Sequence, residues 1–175
     1  MSLIYKQGNI IDALKNGEIN VVFHQCNCTV GLGAGIALAL ANEFPELRNI
    51  DKKYRDNNDT FVLGAYSSYT DQLMNPSKNW FTIVNLYAQY NIWMSDPLDN
   101  YKARLIWLKR AMSTYIRNTL GTGKNYGCVL MGSGLAADPK LKVNLTDLEY
   151  FKLYVAPTIE EVMDNFDVSI TVYYL

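Results

Sequence analysis

Three observations predict an α/β fold whose sheet is covered on both faces. Short apolar runs, such as Val21-Val22-Phe23 and residues 80–86, alternate along the 175 residues with segments of helical periodicity. Two glycine-rich stretches, 31–35 and 132–134, each follow such a run. The segment 98–120 places Tyr101, Leu105, Leu108, Met112, Tyr115 and Ile116 at three- and four-residue spacing, with Lys102, Lys109, Arg110 and Arg117 largely elsewhere.

The elements follow in order. Residues 3–6 predict a first strand and 12–16 a short helix closed by Gly17. Residues 20–23 predict the second strand, followed by a glycine turn. Ile36, Leu38, Ala39, Leu40 and Phe44 then supply an apolar helix, which Pro45 stops or re-aims. Residues 47–57 are polar and helical in pattern. Residues 61–67 read as a strand with a bulge at Gly64, 71–78 as turns, 80–86 as a strand and 87–97 as an aromatic loop. After the long helix, Gly121 and Gly123 break the chain. Residues 126–131 predict a strand, 132–139 a second glycine loop, 159–166 a helix and 168–175 the last strand. Within 140–156, the least patterned stretch, a strand is expected near 151–155.

Composition narrows the function. Sixteen basic and seventeen acidic residues give a net charge of −1, which excludes the basic field that strong nucleic-acid binding requires. No apolar run approaches the roughly 20 residues needed to span a bilayer, and the opening Met1-Ser2-Leu3-Ile4-Tyr5-Lys6 lacks signal-peptide architecture. Three cysteines, an odd number, fit a reducing compartment better than a disulfide framework. The expectation is one cytoplasmic domain over residues 1–175.

The chemistry concentrates in His24-Gln25-Cys26-Asn27-Cys28-Thr29-Val30-Gly31-Leu32-Gly33-Ala34-Gly35-Ile36-Ala37, which holds the one histidine of the chain. A strand that ends in glycines and opens a helix suits phosphate. Glycine lets the backbone approach the ligand, and the N–H groups of the first helical turn point at negative charge. The pattern is not the dinucleotide fingerprint, because Ile36 stands where its last glycine belongs. Gly121-Thr122-Gly123-Lys124 is not a P-loop, since Asn118 and Asn125 occupy its defining positions; it reads as the end of a helix. His24, Cys26 and Cys28 alternate and, with Cys128, compose a metal set on paper. Their spacing is shorter than the usual zinc pattern and the fourth ligand is remote, so no metal or other cofactor is expected. A histidine at a strand end is commonly structural; beside a phosphate loop, its usual pKa of about 6.5 also suits proton transfer. Gly132-Ser133-Gly134-Leu135-Ala136-Ala137-Asp138 offers a second row of backbone donors, with Asp138 facing either solvent or the anionic end of a ligand.

Gly8-Asn9-Ile10-Ile11, the His24–Ala37 stretch, Asn85-Leu86-Tyr87-Ala88-Gln89, the 132–138 loop and the closing Ile170-Thr171-Val172-Tyr173-Tyr174-Leu175 together resemble the macro domain family. Within it they are similar to the branch of ADP-ribose-1″-phosphate phosphatases and phage macro proteins, with 140–156 as an insertion. The resemblance implies a three-layer α/β/α fold around a mixed sheet, with ADP-ribose or ADP-ribose-1″-phosphate as partner in a cleft at its rim. It places Asn9 and Ile10 near the adenine and Asn27 on the distal ribose. Gly33, Ala34, Gly35 and Ile36 are implied on one side of the diphosphate, and Ser133, Gly134, Leu135 and Ala136 on the other. Tyr173 is implied beside the adenine and Tyr87 over the distal ribose. It makes His24 and Asp138 the catalytic pair for release of the 1″-phosphate: His24 as acid or nucleophile, Asp138 orienting water or the histidine. Two alternatives share the pocket, a non-catalytic binding module and a hydrolase that removes ADP-ribose from protein or nucleic acid. Members of that second branch resembling this chain use a lysine and an aspartate where Leu86 and Ala136 stand here, which counts against the lysine-dependent version.

Overall fold

The computed structural model describes residues 1–58, 62–74, 76, 78–94 and 96–175. Strand β1 (Ile4–Gln7) leads through helix α1 (Ile10–Lys15) to β2 (Val21–Asn27). Helices α2 (Gly35–Glu43) and α3 (Glu46–Asn57) precede β3 (Tyr66–Gln72) and β4 (Trp80–Gln89). Then come α4 (Tyr101–Asn118), β5 (Tyr126–Val129), α5 (Asp147–Tyr150), a π-helical stretch Phe151–Val155, α6 (Ala156–Phe166) and β6 (Ile170–Tyr174). The six strands form one sheet in the order β1-β6-β5-β2-β4-β3. All neighbours pair in parallel except β3 with β4, so the sheet is mixed.

Strand alternation sends side chains to two cores. Val21 and Phe23 of β2 join Val84 and Leu86 of β4 against α4, α6 and the π stretch. Val22 and Cys26 join Ile83 and Tyr87 against α1, α2 and α3. The first core is built round α4, whose Leu108, Ala111, Met112, Tyr115 and Ile116 are all buried. Phe23 meets Tyr115 edge-on, with ring centroids 5.4 Å apart, and stacks on Tyr126 at 5.6 Å. Burying a large apolar side chain of this kind contributes about 1.5–3 kcal/mol. No helix among the described residues is long and apolar enough to cross a membrane.

Four local expectations are corrected. β2 runs on through His24 to Asn27, past the expected end at Phe23. The strand expected over 61–67 begins at Tyr66 and continues to Gln72, into the stretch read as turns. Gly64, with φ of +76°, turns the chain ahead of that strand and does not bulge it. Positions 61, 75, 77 and 95, which fall in the expected strand, turns and aromatic loop, lie outside the described residues. The strand expected near 151–155 is helical. Thr146 caps α5 with a complete capping box, its hydroxyl accepting from the Glu149 N–H while Glu149 accepts from the Thr146 N–H. The backbone then stays helical through Phe166.

Candidate functional site

Because β2, β4 and β5 are mutually parallel, the loops that leave their C-terminal ends open on one rim. The first, 28–34, is folded by Asn27. Its Oδ1 accepts from the N–H of Thr29 at 3.1 Å and of Val30 at 2.7 Å, and its Nδ2 donates to the Gly31 carbonyl at 3.1 Å. Gly31 then turns with φ of +74°, and Gly35 starts α2 with φ of +54°. Extended Ala34 precedes α2 without a side-chain cap, and its carbonyl accepts the first helical bond, from Leu38. The N–H groups of Gly35, Ile36 and Ala37 therefore stay outside the helical ladder, at its positive end. The second loop turns at Gly132, with φ of +70°, and closes when the Ala137 N–H donates to the Gly134 carbonyl at 3.1 Å. The N–H groups of Gly134, Leu135 and Ala136 have no acceptor among the described residues. Two sets of backbone donors thus lie above the neighbouring strands β2 and β5, and neither loop contains a cation.

Each loop rests on an arginine–aspartate pair. On α3, Arg48 donates to the Leu32 carbonyl at 3.2 Å. One turn and two turns further, Asp51 and Arg55 pair at 2.9 Å beneath Gly31, where a Cβ would come within 2.9 Å of the Arg55 guanidinium. Under the second loop, Arg104 and Asp99 form a buried pair, and Arg104 also donates to the Ala136 carbonyl at 2.9 Å. The sequence reading found neither pair. The signals were Asp51 and Arg55 at i,i+4 spacing, and Arg104 on the apolar stripe of α4, where a charge needs a partner.

His24 is fully buried. It opens a chain of hydrogen bonds across three strands: His24 to Asn85 at 2.6 Å, Asn85 to Ser67 at 3.0 Å, Ser67 to Tyr87 at 2.9 Å and Tyr87 to Asp51 at 2.8 Å. The ion-paired carboxylate of Asp51 can only accept, which fixes every link. Tyr87 donates to Asp51, so Ser67 donates to Tyr87. Asn85 then donates to Ser67, and its amide oxygen accepts from Nε2–H of His24. Nδ1 is left as the bare nitrogen, with the Cys26 sulfur 3.5 Å away. Burial lowers the His24 pKa from the usual 6.5 to about 4, outweighing its bond to Asn85, so the ring is neutral. Cys26 shares the His24 face of the sheet and Cys128 lies in the opposite core, so the residues of the paper metal set do not converge.

Asn9, Asn27, Gly33 to Ile36 and Gly134 to Ala136 lie at the C-terminal rim of the sheet, whereas Ser133 is buried with its N–H and its hydroxyl both bonded to the Leu130 carbonyl. Asn9 is exposed and caps α1 by accepting from the Ile11 N–H at 2.8 Å. Ile10 is buried and offers only its backbone. Three residues are placed elsewhere. His24 is buried within the sheet, its ring bonded to Asn85 of β4. Tyr87 is fully buried, stacked on Tyr54 at 5.4 Å, and does not cover a ribose. Tyr173, buried to 4 % exposure, lies against Gly127 and directs its hydroxyl to Glu18, ahead of β2 and away from the rim. Asp138 stays in the second loop and caps its own turn, its Oδ1 accepting from the Lys140 N–H at 2.9 Å, while its N–H donates to Tyr150. A separate cavity of about 630 Å³ opens between α3, α4 and the start of β3, lined by Lys53, Tyr54, Tyr66, Ser67 and Arg110.

No family model matches the chain. Over 90 residues it is 32% identical to an uncharacterized 17.5 kDa protein from the tk-vs intergenic region of Enterobacteria phage T4. That alignment covers 51% of this chain and 55% of the phage protein, so it spans about half of the curated relative. Among solved structures, the macrodomain of Thermus aquaticus DarG superposes with a TM-score of 0.64 at 16% identity, covering 99% of this chain and 98% of that one. Thermosipho africanus DarTG, solved in complex with ADP-ribose, gives 0.57 at 10% identity over 97% of this chain and 41% of that one. The chain has the macrodomain fold: a mixed sheet between two helical layers, with glycine loops at one rim.

Proposed function

We propose that the rim cleft binds ADP-ribose. The observation that supports this best is the pair of unspent donor rows, at Gly35 to Ala37 and at Gly134 to Ala136, above adjacent strands. A diphosphate supplies the acceptors and charge that such rows lack. In this reading the adenosine lies toward Asn9 and Ile10, the diphosphate between the loops, and the distal ribose toward Asn27. Asn27 contributes chiefly by holding the first loop, since its carboxamide is already bonded to that loop's backbone. The complex of the Thermosipho africanus protein with ADP-ribose supports the same ligand class.

Recognition is favoured over phosphatase turnover by the state of the two expected catalytic groups. His24 is neutral, buried and bonded sideways to Asn85, and Asp138 is engaged in its own turn. Lysine-dependent removal of ADP-ribose from a macromolecule is disfavoured, because Leu86 and Ala136 stand where the resembling hydrolases have a lysine and an aspartate; other de-ADP-ribosylating chemistries are not affected.

A phosphorus NMR time course of ADP-ribose-1″-phosphate with the protein, without added metal, tests the reading. Shifted or broadened diphosphate resonances with no new inorganic phosphate are expected. Growth of inorganic phosphate would instead establish the phosphatase reaction. An unchanged spectrum would remove both.

A further inference from the structure

The buried pair of Asp99 and Arg104 does something that stability does not explain. Their exposures are 2 % and 4 %. Nε of Arg104 donates to Asp99 Oδ1 at 2.6 Å and Nη2 to Oδ2 at 2.7 Å. Desolvating two charges in this way is often no better, energetically, than an apolar pair of the same volume. The remaining bonds of the pair indicate another role. Arg104 Nη1 donates to the carbonyl of Ala136 in the second loop at 2.9 Å, and Nη2 to the carbonyl of Asn91 at 3.0 Å. Asp99 Oδ2 accepts from the Asn91 N–H at 3.2 Å. The same Asn91 carbonyl accepts from Gln89, whose Oε1 accepts from Gln25 at 2.7 Å, and Gln25 lies directly under Gly132. The pair therefore joins the segment after β4, the start of α4 and the second glycine loop into one bonded unit.

We propose that Arg104, oriented by Asp99, is the positioning residue that sets the second loop for anion recognition. By drawing the Ala136 carbonyl inward, it closes the 134–137 turn from below. The unspent N–H groups of Gly134, Leu135 and Ala136 are then held ready for a ligand. Affinity arises from pre-organisation, because a loop already ordered loses less entropy when the ligand arrives. Arg104 itself touches no ligand. The inference rests on the ADP-ribose reading for its ligand, but not for its effect on the loop.

Replacing both partners, Asp99→Leu with Arg104→Met, separates positioning from stability. The double variant leaves no unpaired buried charge and retains apolar volume. Its melting temperature should stay within a few degrees of the parent. Amide hydrogen exchange over 90–92 and 132–137 should accelerate, and ADP-ribose affinity by calorimetry should fall about tenfold. Arg104→Lys retains charge and stem but loses the planar fork, so it should lose affinity too; it decides the matter if the double variant fails to fold. Parent-like exchange in these segments overturns the clamp. Failure of the parent protein to bind ADP-ribose overturns the proposed function, and the exchange data then judge the clamp alone.

Discussion

At the scale of single residues, His24 is the case where composition misleads. The run His24-Gln25-Cys26-Asn27 is polar, so the sequence ends β2 at Phe23 with the histidine at the strand end. Its polar atoms are instead satisfied sideways, by Asn85 on the next strand and Cys26 on its own. Cross-strand partners far apart in the chain leave no local pattern to read. The consequence is a pH dependence of stability. A base whose pKa falls from about 6.5 unfolded to about 4 folded binds more protons when unfolded across that interval. Its contribution is therefore complete above pH 6.5 and is lost as pH falls toward 4. Between pH 7 and pH 5 the loss is about 2 kcal/mol. Urea unfolding of the parent and of His24→Gln at both pH values checks this: the variant should show a smaller difference, and an equal difference would refute the neutral, buried ring.

Among elements, those carried by an unbroken pattern are legible: α4 from its stripe and β4 from its apolar run. The glycine loops were legible too, because glycine is placed by backbone conformation. The π stretch was not. Phe151, Leu153 and Val155 alternate as in a strand, and what keeps them helical is the cap five residues upstream together with burial of Phe151 and Val155 in the core. β5 shows how tightly an element can be fitted. A Cβ on Gly127 would stand 2.5 Å from Ile19 Cδ1. Gly127→Ala should cost about 1–3 kcal/mol through overpacking, and adding Ile19→Val should recover part of it by removing that methyl. Denaturant midpoints of the single and double variants give the answer; independent, additive losses would show that the contact does not control the site.

For the whole molecule, charge balance predicts how a ligand is met. The net charge is −1 and neither loop carries a cation; beneath them Arg55 and Arg104 are paired with aspartates, and Arg48 is bonded to the Leu32 carbonyl and to Asn42. Recognition through backbone donors at close range is little screened by salt. Raising ionic strength from about 0.05 to 0.5 M should change ADP-ribose affinity less than about threefold, measured by titration calorimetry. A tenfold or larger fall would mean that an unpaired cation contacts the ligand.

The position of β6 sets the order in which this molecule can be made. The strand formed by Ile170–Tyr174 lies between β1 and β5, so the first and fifth strands meet only through it. On the ribosome, β1 emerges first yet has no partner until more than 160 further residues have followed. Until then β5 presents an open edge able to pair with a foreign strand. The sheet therefore closes only once β6 is in place, and until then β1 and the β5-β2-β4-β3 portion stay unjoined.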